Sequence, residues 1–317
     1  MTWLRSLLHR REAGIFLALL ALLLLISALE PNFLTRTNLY LVSRQIALTA
    51  IIALGVLFVI ITAGIDLSVG STVGLSGFIC GMAMAAGLHP FIAVTAGLAT
   101  GALVGAVNGT LVAYVGVTPF IVTLGMLGVA RGLVLVLKHG DSIRDISKQF
   151  IAFGNGSILG FSTPVILLLG LALGAHLVLK YTVFGRRVYA VGGNEAAAAL
   201  SGINTRQVKF FTYVICGALS AVTGILFVAR FQTAQADAGK GMELDAIAAA
   251  VIGGTSLMGG EGSICGVLIG AIIMGIIRNG LVLLQVSSYW QELLIGLIIV
   301  LAAILDILRR HRSVSSV

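Results

Sequence analysis

Phe91-Ile-Ala-Val-Thr-Ala-Gly-Leu-Ala-Thr-Gly-Ala-Leu-Val-Gly-Ala-Val-Asn-Gly-Thr-Leu-Val-Ala-Tyr-Val115 runs for 25 residues without a charge. A bilayer core takes about 20 apolar residues in helical form, because lipid offers no partner to a bare N–H or C=O. Gly97, Gly101, Gly105 and Gly109 recur at i+4 and so lay a flat stripe along one helix face. In water such glycines weaken a helix; in lipid they let two backbones approach closely.

Working outward, the same reading applies to Gly14–Leu29, Ile46–Gly64, Val69–Gly87, Pro119–Leu137, Pro164–Leu179, Phe210–Ala229, Leu244–Leu257, Ser263–Leu284 and Tyr289–Leu305. Together these predict an all-α polytopic membrane protein of about ten transmembrane helices. Segments 69–87 and 244–257 are Gly-rich or short and read as broken or tilted helices. The apolar segments follow one another without a low-complexity linker, so residues 1–317 read as a single transmembrane domain. With 58% hydrophobic and 10% charged residues, the chain has too few charges to coat a soluble surface, which excludes a soluble enzyme.

The net charge of +8 does not point to nucleic acid, because the basic residues gather at segment ends. Arg5, Arg10 and Arg11 precede the first span, Arg309, Arg310 and Arg312 follow the last, and Arg186, Arg187, Arg206 and Lys209 share one central loop. Positive-inside sorting puts all three groups, and both termini, in the cytoplasm. Arg36 and Arg44 then fall on the outer side, so the bias holds without holding at every loop. No Ala-x-Ala site precedes Glu30-Pro31, and the first apolar run reads as a retained anchor.

Chemistry-bearing motifs are scarce. No G-x-x-x-x-G-K-[ST] loop is present to cradle a nucleotide, and neither H-E-x-x-H nor a paired-Cys spacing is found; Cys80, Cys216 and Cys265 stand singly in apolar segments. No cofactor is expected. Arg131 reads as the one charge well inside a helix, either lining an aqueous path or snorkelling to the outer interface. Asp66 and Asp245 stand near segment starts, where a carboxylate caps a helix or meets its positive end, with contact to solute as the alternative. Asn108 and Asn279 each precede a glycine and are candidates for hydrogen bonds between helices.

The central cytoplasmic loop, about residues 181–209, encodes a short helix of its own. Asn194 is a good N-cap, Glu195 suits the helix dipole at the first position, Ala196 to Ala199 favour helix, and Gly202 stops it after Leu200. Such a helix either docks on a soluble partner or simply connects two spans.

Several stretches resemble the permease subunits of bacterial ABC importers of the ribose/xylose/arabinose/galactose type. They are Asn32-Phe-Leu-Thr35 with Asn38-Leu39; Gly64-Ile-Asp-Leu-Ser-Val-Gly-Ser71; Thr118-Pro-Phe-Ile-Val-Thr-Leu-Gly125; Gly192–Gly202; and Glu243-Leu-Asp-Ala-Ile-Ala248 through Gly253–Gly260. The resemblance implies an inner-membrane permease, two copies forming the pathway by alternating access, a separate cytoplasmic ATP-binding subunit and a periplasmic sugar-binding protein. It also implies that Asn194–Gly202 is the coupling helix, with Glu195, Ala196 and Ala197 matching the family's Glu-Ala-Ala core. Ala197–Ala199 depart from relatives that carry a charge there, which puts a polar contact to the ATPase in doubt. A self-contained facilitator or ion-coupled carrier is the competing expectation, and a scaffold without transport a third.

Overall fold

The computed structural model describes residues 11–158 and 160–314, so Arg5 and Arg10 lie outside the described residues. Thirteen α-helices and one two-stranded turn (Ser157–Ile158 with Phe161–Ser162) follow in chain order. They are α1 (Arg11–Leu29), α2 (Arg36–Ile61), α3 (Val69–Ala85), α4 (Pro90–Thr110, continued by a π turn to Val115), α5 (Pro119–Lys138), α6 (Lys148–Asn155), α7 (Thr163–Tyr181), α8 (Val183–Gly193), α9 (Glu195–Leu200), α10 (Thr205–Phe231), α11 (Met242–Ile252), α12 (Ile264–Leu283) and α13 (Ser288–Val314).

Six of these, α2, α4, α5, α7, α10 and α12, are long and apolar enough to cross a bilayer, and the apolar stretches of α1, α3 and α13 are shorter. Segment 244–257 is short and broken. Its helix is α11, with 11 residues, which at 1.5 Å per residue reaches about 16 Å against a hydrocarbon core of about 30 Å. The rest of that path is the turn Gly253–Ser263, which Gly254, Gly259 and Gly260 enter with positive φ. All four prolines stand at helix starts, where a missing N–H costs nothing, and none interrupts a span.

At the centre stands α2. From Ala47 to Ile61 nearly every residue is buried, on all faces of the helix. A helix apolar all round belongs inside a bundle, and α2 packs on α7, α10, α11 and α12. The Gly97–Gly109 stripe lies against α10 so closely that a Cβ on Gly101 would stand 2.4 Å from the Gly217 carbonyl, and one on Gly105 2.3 Å from that of Tyr213. The second stripe, Gly262–Gly266–Gly270, meets different neighbours: Gly266 faces the Gly253 carbonyl and Gly270 that of Ala249. Large apolar side chains on α5, α7 and α13 point outward, as lipid-facing positions do.

Candidate functional site

The end of the molecule that carries Ile61, α8 and α9 holds the one short helix that sequence reasoning singled out. Asn194 adopts an extended backbone, and its Oδ1 accepts from the Ala197 N–H at 2.9 Å. Gly202 turns left-handed at φ +82°, and the Ile203 N–H closes back on the Ala198 carbonyl at 3.1 Å, so both ends of α9 are satisfied locally. Ala198 is buried on the bundle side, whereas Glu195, Ala196, Ala197 and Ala199 face out and Leu200 is 91% exposed. An exposed leucine is ordinary in lipid; here it sits on a capped polar turn, among Asn194, Glu195, Ser201 and Asn204.

A second loop helix, α8, went unpredicted. Thr182 caps it through the Gly185 N–H at 3.1 Å, and Val188 and Val191 are its buried residues after Gly185; the 182–191 periodicity carried that signal. It joins α9 to the bundle. Gly192 lies so close to the end of α2 that a Cβ there would stand 1.6 Å from the Ile61 carbonyl and 2.6 Å from the Gly260 nitrogen. The Gly260 N–H itself donates to Ile61 at 2.9 Å. The Tyr189 hydroxyl donates to the Gly262 carbonyl at 2.8 Å, and burial pushes its phenol up from the ordinary tyrosine range. Lys209 of α10 pairs with Glu195 at 2.5 Å. The loop helices are thereby tied to the ends of α2 and α10 and to the turn leading into α12.

Between α9 and the α4–α5 turn opens a cavity of about 970 Å³, bordered by Asn194, Glu195, Lys209, Thr118, Gly64 and Tyr213. Directly behind it Tyr213 donates to the Ile65 carbonyl at 3.3 Å. Asp66 follows, 1% exposed, its Oδ1 accepting from the Ser68 N–H at 2.9 Å and the Ser68 hydroxyl at 2.6 Å. Asn108 joins this cluster by donating to Ser68 Oγ at 2.9 Å. Two of the sequence candidates, Asp66 and Asn108, are thus brought together through Ser68 where α3 starts against α4.

The other candidates have different partners and do not join that cluster. Asn279 forms a reciprocal amide pair with Asn38 of α2, at 3.0 and 2.9 Å. Asp245 stands in the first turn of α11 and pairs with Arg278 at 2.8 Å. Arg131 reaches the loop after α10 and donates to the Ala236 and Ala238 carbonyls at 3.1 and 2.8 Å. The expectation that Arg131 is the one charge within a span is corrected: Arg44 and Arg278 also lie inside α2 and α12. Arg278 stands within the segment Ser263–Leu284, whereas Arg44 precedes the segment Ile46–Gly64, and the pairing of Arg278 with Asp245 across 33 residues has no local mark. Among the described residues, no group of three His, Cys, Asp or Glu side chains is placed to hold a metal.

Residues 38–303 match the family described as branched-chain amino acid transport system / permease component. The chain is similar to the ribose import permease protein RbsC of Escherichia coli (strain K12), 46% identical over 93% of either chain. It is similar to the RbsC of Bacillus subtilis (strain 168), 43% identical over 93% of this chain and 92% of the other. The D-allose transport system permease protein AlsC of Escherichia coli (strain K12) is 39% identical over 92% and 90%. No solved structure matches.

Proposed function

The chain belongs to the permease components of ABC importers, multi-pass proteins of the bacterial inner membrane whose ATPase is a separate subunit, and from that premise we propose that it passes a ribose-like monosaccharide inward by alternating access. Relatives named for ribose, allose and arabinose support a monosaccharide cargo, and the ribose permeases share the most residues among those three.

The observation that carries the mechanism is the joint of α8 and α9. The reading is that Asn194, Glu195, Ala196, Ala197, Leu200 and Gly202 form the coupling element, with Leu200 seated in a cleft of the ATP-binding subunit. An ATPase that holds one permease conformation more tightly than the other shifts the equilibrium by that difference and no more. Gly192 against Ile61, and Glu195 with Lys209, give a rigid route from α9 to α2 and α10. Asp66 and Asn108 lie at the far end of that route and act, on this reading, as positioning residues for the α2–α3 turn. Asp245, Asn279 and Arg131 hold helices and the outer loop in register.

A second copy of the chain is proposed to complete the pathway, and α5 offers the open face: a Cβ on Gly125, Gly128 or Gly132 would meet nothing within 4 Å. A periplasmic sugar-binding protein is proposed to dock at the loops between α5 and α7 and between α10 and α11.

The experiment is ATP-driven uptake into proteoliposomes holding the permease, its ATPase and its delivery protein. Ala197→Pro removes the N–H that Asn194 caps and breaks α9; insertion and solute binding by the delivery protein are expected to persist while ribose uptake falls to background. Unchanged uptake would remove α9 from the coupling route, and uptake of allose or arabinose in preference to ribose would replace the cargo.

A further inference from the structure

Two arginines at the outer end of the bundle have no counter-charge among the described residues. Arg44 stands two turns inside α2 and is 8% exposed. One of its terminal nitrogens donates to Asn155 Oδ1 at the end of α6, its guanidinium lies 5.8 Å from the Tyr40 ring, and its Nε is buried without a hydrogen-bond partner. Arg230, in the last turn of α10, is near enough for the two positive charges to repel, and its guanidinium lies 5.2 Å from the Phe231 ring. The ion pairs among the described residues, Glu195–Lys209 and Asp245–Arg278, involve neither.

Burying like charges together without an opposite one is costly, because each loses hydration and gains repulsion. Aromatic faces offset only part of that. A guanidinium keeps its proton, so neutralisation is no escape. What the arrangement lacks is an anion with several acceptor oxygens.

The same corner carries a groove that supplies the rest of the ligand's chemistry. An apolar cleft of about 380 Å³ runs between α4, α6, α7 and α10, bordered by Phe91, Phe150, Phe153, Leu167, Val222 and Ala229. It ends at Ala229, whose carbonyl accepts from Asn155 Nδ2 at 2.8 Å. Asn155 therefore touches both the groove wall and Arg44. Gly154 presses on Ala229 beside it, which fixes α6 across the top of α10.

We propose that Arg44, Arg230 and Asn155 hold the phosphate of an outer-leaflet phospholipid whose acyl chain lies in the groove beside Ala229. A free phosphate would satisfy the arginines and leave the groove unused; a neutral lipid would fill the groove and leave the arginines unpaired. A phospholipid does both, and from the bilayer it meets the groove without crossing water. Its consequence is structural coupling of α2, the central helix, to the surrounding membrane.

The test uses the full-length permease, stripped of lipid in neutral detergent, with thermal unfolding followed during titration. Dioleoylphosphatidylglycerol is expected to raise the midpoint, whereas dioleoylglycerol and inorganic phosphate at the same concentrations leave it in place. Arg230→Gln removes one charge-assisted contact and is expected to weaken the apparent affinity by about tenfold. Val222→Trp fills the groove and is expected to weaken it too, so the test survives if Arg44→Gln does not fold. Equal responses to diacylglycerol, a phosphate effect matching the lipid's, or full lipid affinity in Arg230→Gln would each overturn the proposal. If Arg230→Gln keeps its lipid affinity and instead loses stimulation by the delivery protein, the missing anion is a carboxylate of that protein.

Discussion

Helices α4 and α5 follow one another, and each carries glycines at three- or four-residue spacing, yet they meet different surroundings. On α4, a Cβ added at Gly101 or Gly105 would stand 2.4 or 2.3 Å from backbone oxygens of α10. On α5, Gly125, Gly128 and Gly132 face open space within the protomer. Glycine spacing therefore marks a face prepared for close approach without saying whether the partner is in the same chain. That follows from how small residues work in lipid, where contact and not exclusion from water drives helix association.

The comparison is broken most severely by one substitution made on each helix. Gly101→Leu must displace the α10 backbone and is expected to destabilise the fold by about 3 kcal/mol or more, read as lost thermal stability in detergent. Gly128→Leu leaves protomer stability unchanged and acts on association between copies, measured by cross-linking or mass in nanodiscs. A comparable loss of protomer stability from both would mean that the α5 glycines pack within the chain.

A smaller effect is expected at Gly192, the point where α8 meets the end of α2. Gly192→Ala inserts a methyl where the Ile61 carbonyl stands and is expected to displace α8–α9 with modest loss of stability. The expected signature is ATP hydrolysis no longer stimulated by solute-loaded delivery protein. Retained stimulation would disconnect this glycine from coupling.

Smallest is Asn194→Ala, which removes one cap. Its expected cost is about 1 kcal/mol of local helix stability, seen as a several-fold loss of uptake that raised ATPase concentration restores. A loss that does not respond to ATPase concentration would give Asn194 a role beyond holding α9 in shape.

The fold was readable where one physical rule decides. Length and apolarity marked the long spans, and Asn194, the alanine run and Gly202 marked α9 because capping is local chemistry. The sequence reading failed where the answer depends on a distant partner. Leu244–Leu257 was legible as short or broken, but not where the break falls, which the φ > 0 glycines after Ile252 set. Asp245 was legible as a carboxylate at a helix start, but its partner Arg278 comes from another helix. Arg44 looked like an outer-loop charge, although it lies two turns inside the central helix. Asp66 as a helix-start carboxylate and Asn108 as an interhelical hydrogen-bonding group were each legible, but not that α3 and α4 bring them together at Ser68.

The most direct trial of the whole account is solute movement in vesicles containing the permease alone, set beside vesicles that also hold its ATPase and delivery protein with ATP. The account predicts no flux in the first under any proton or sodium gradient, and accumulation in the second. Equilibration or gradient-driven accumulation by the permease alone would contradict it.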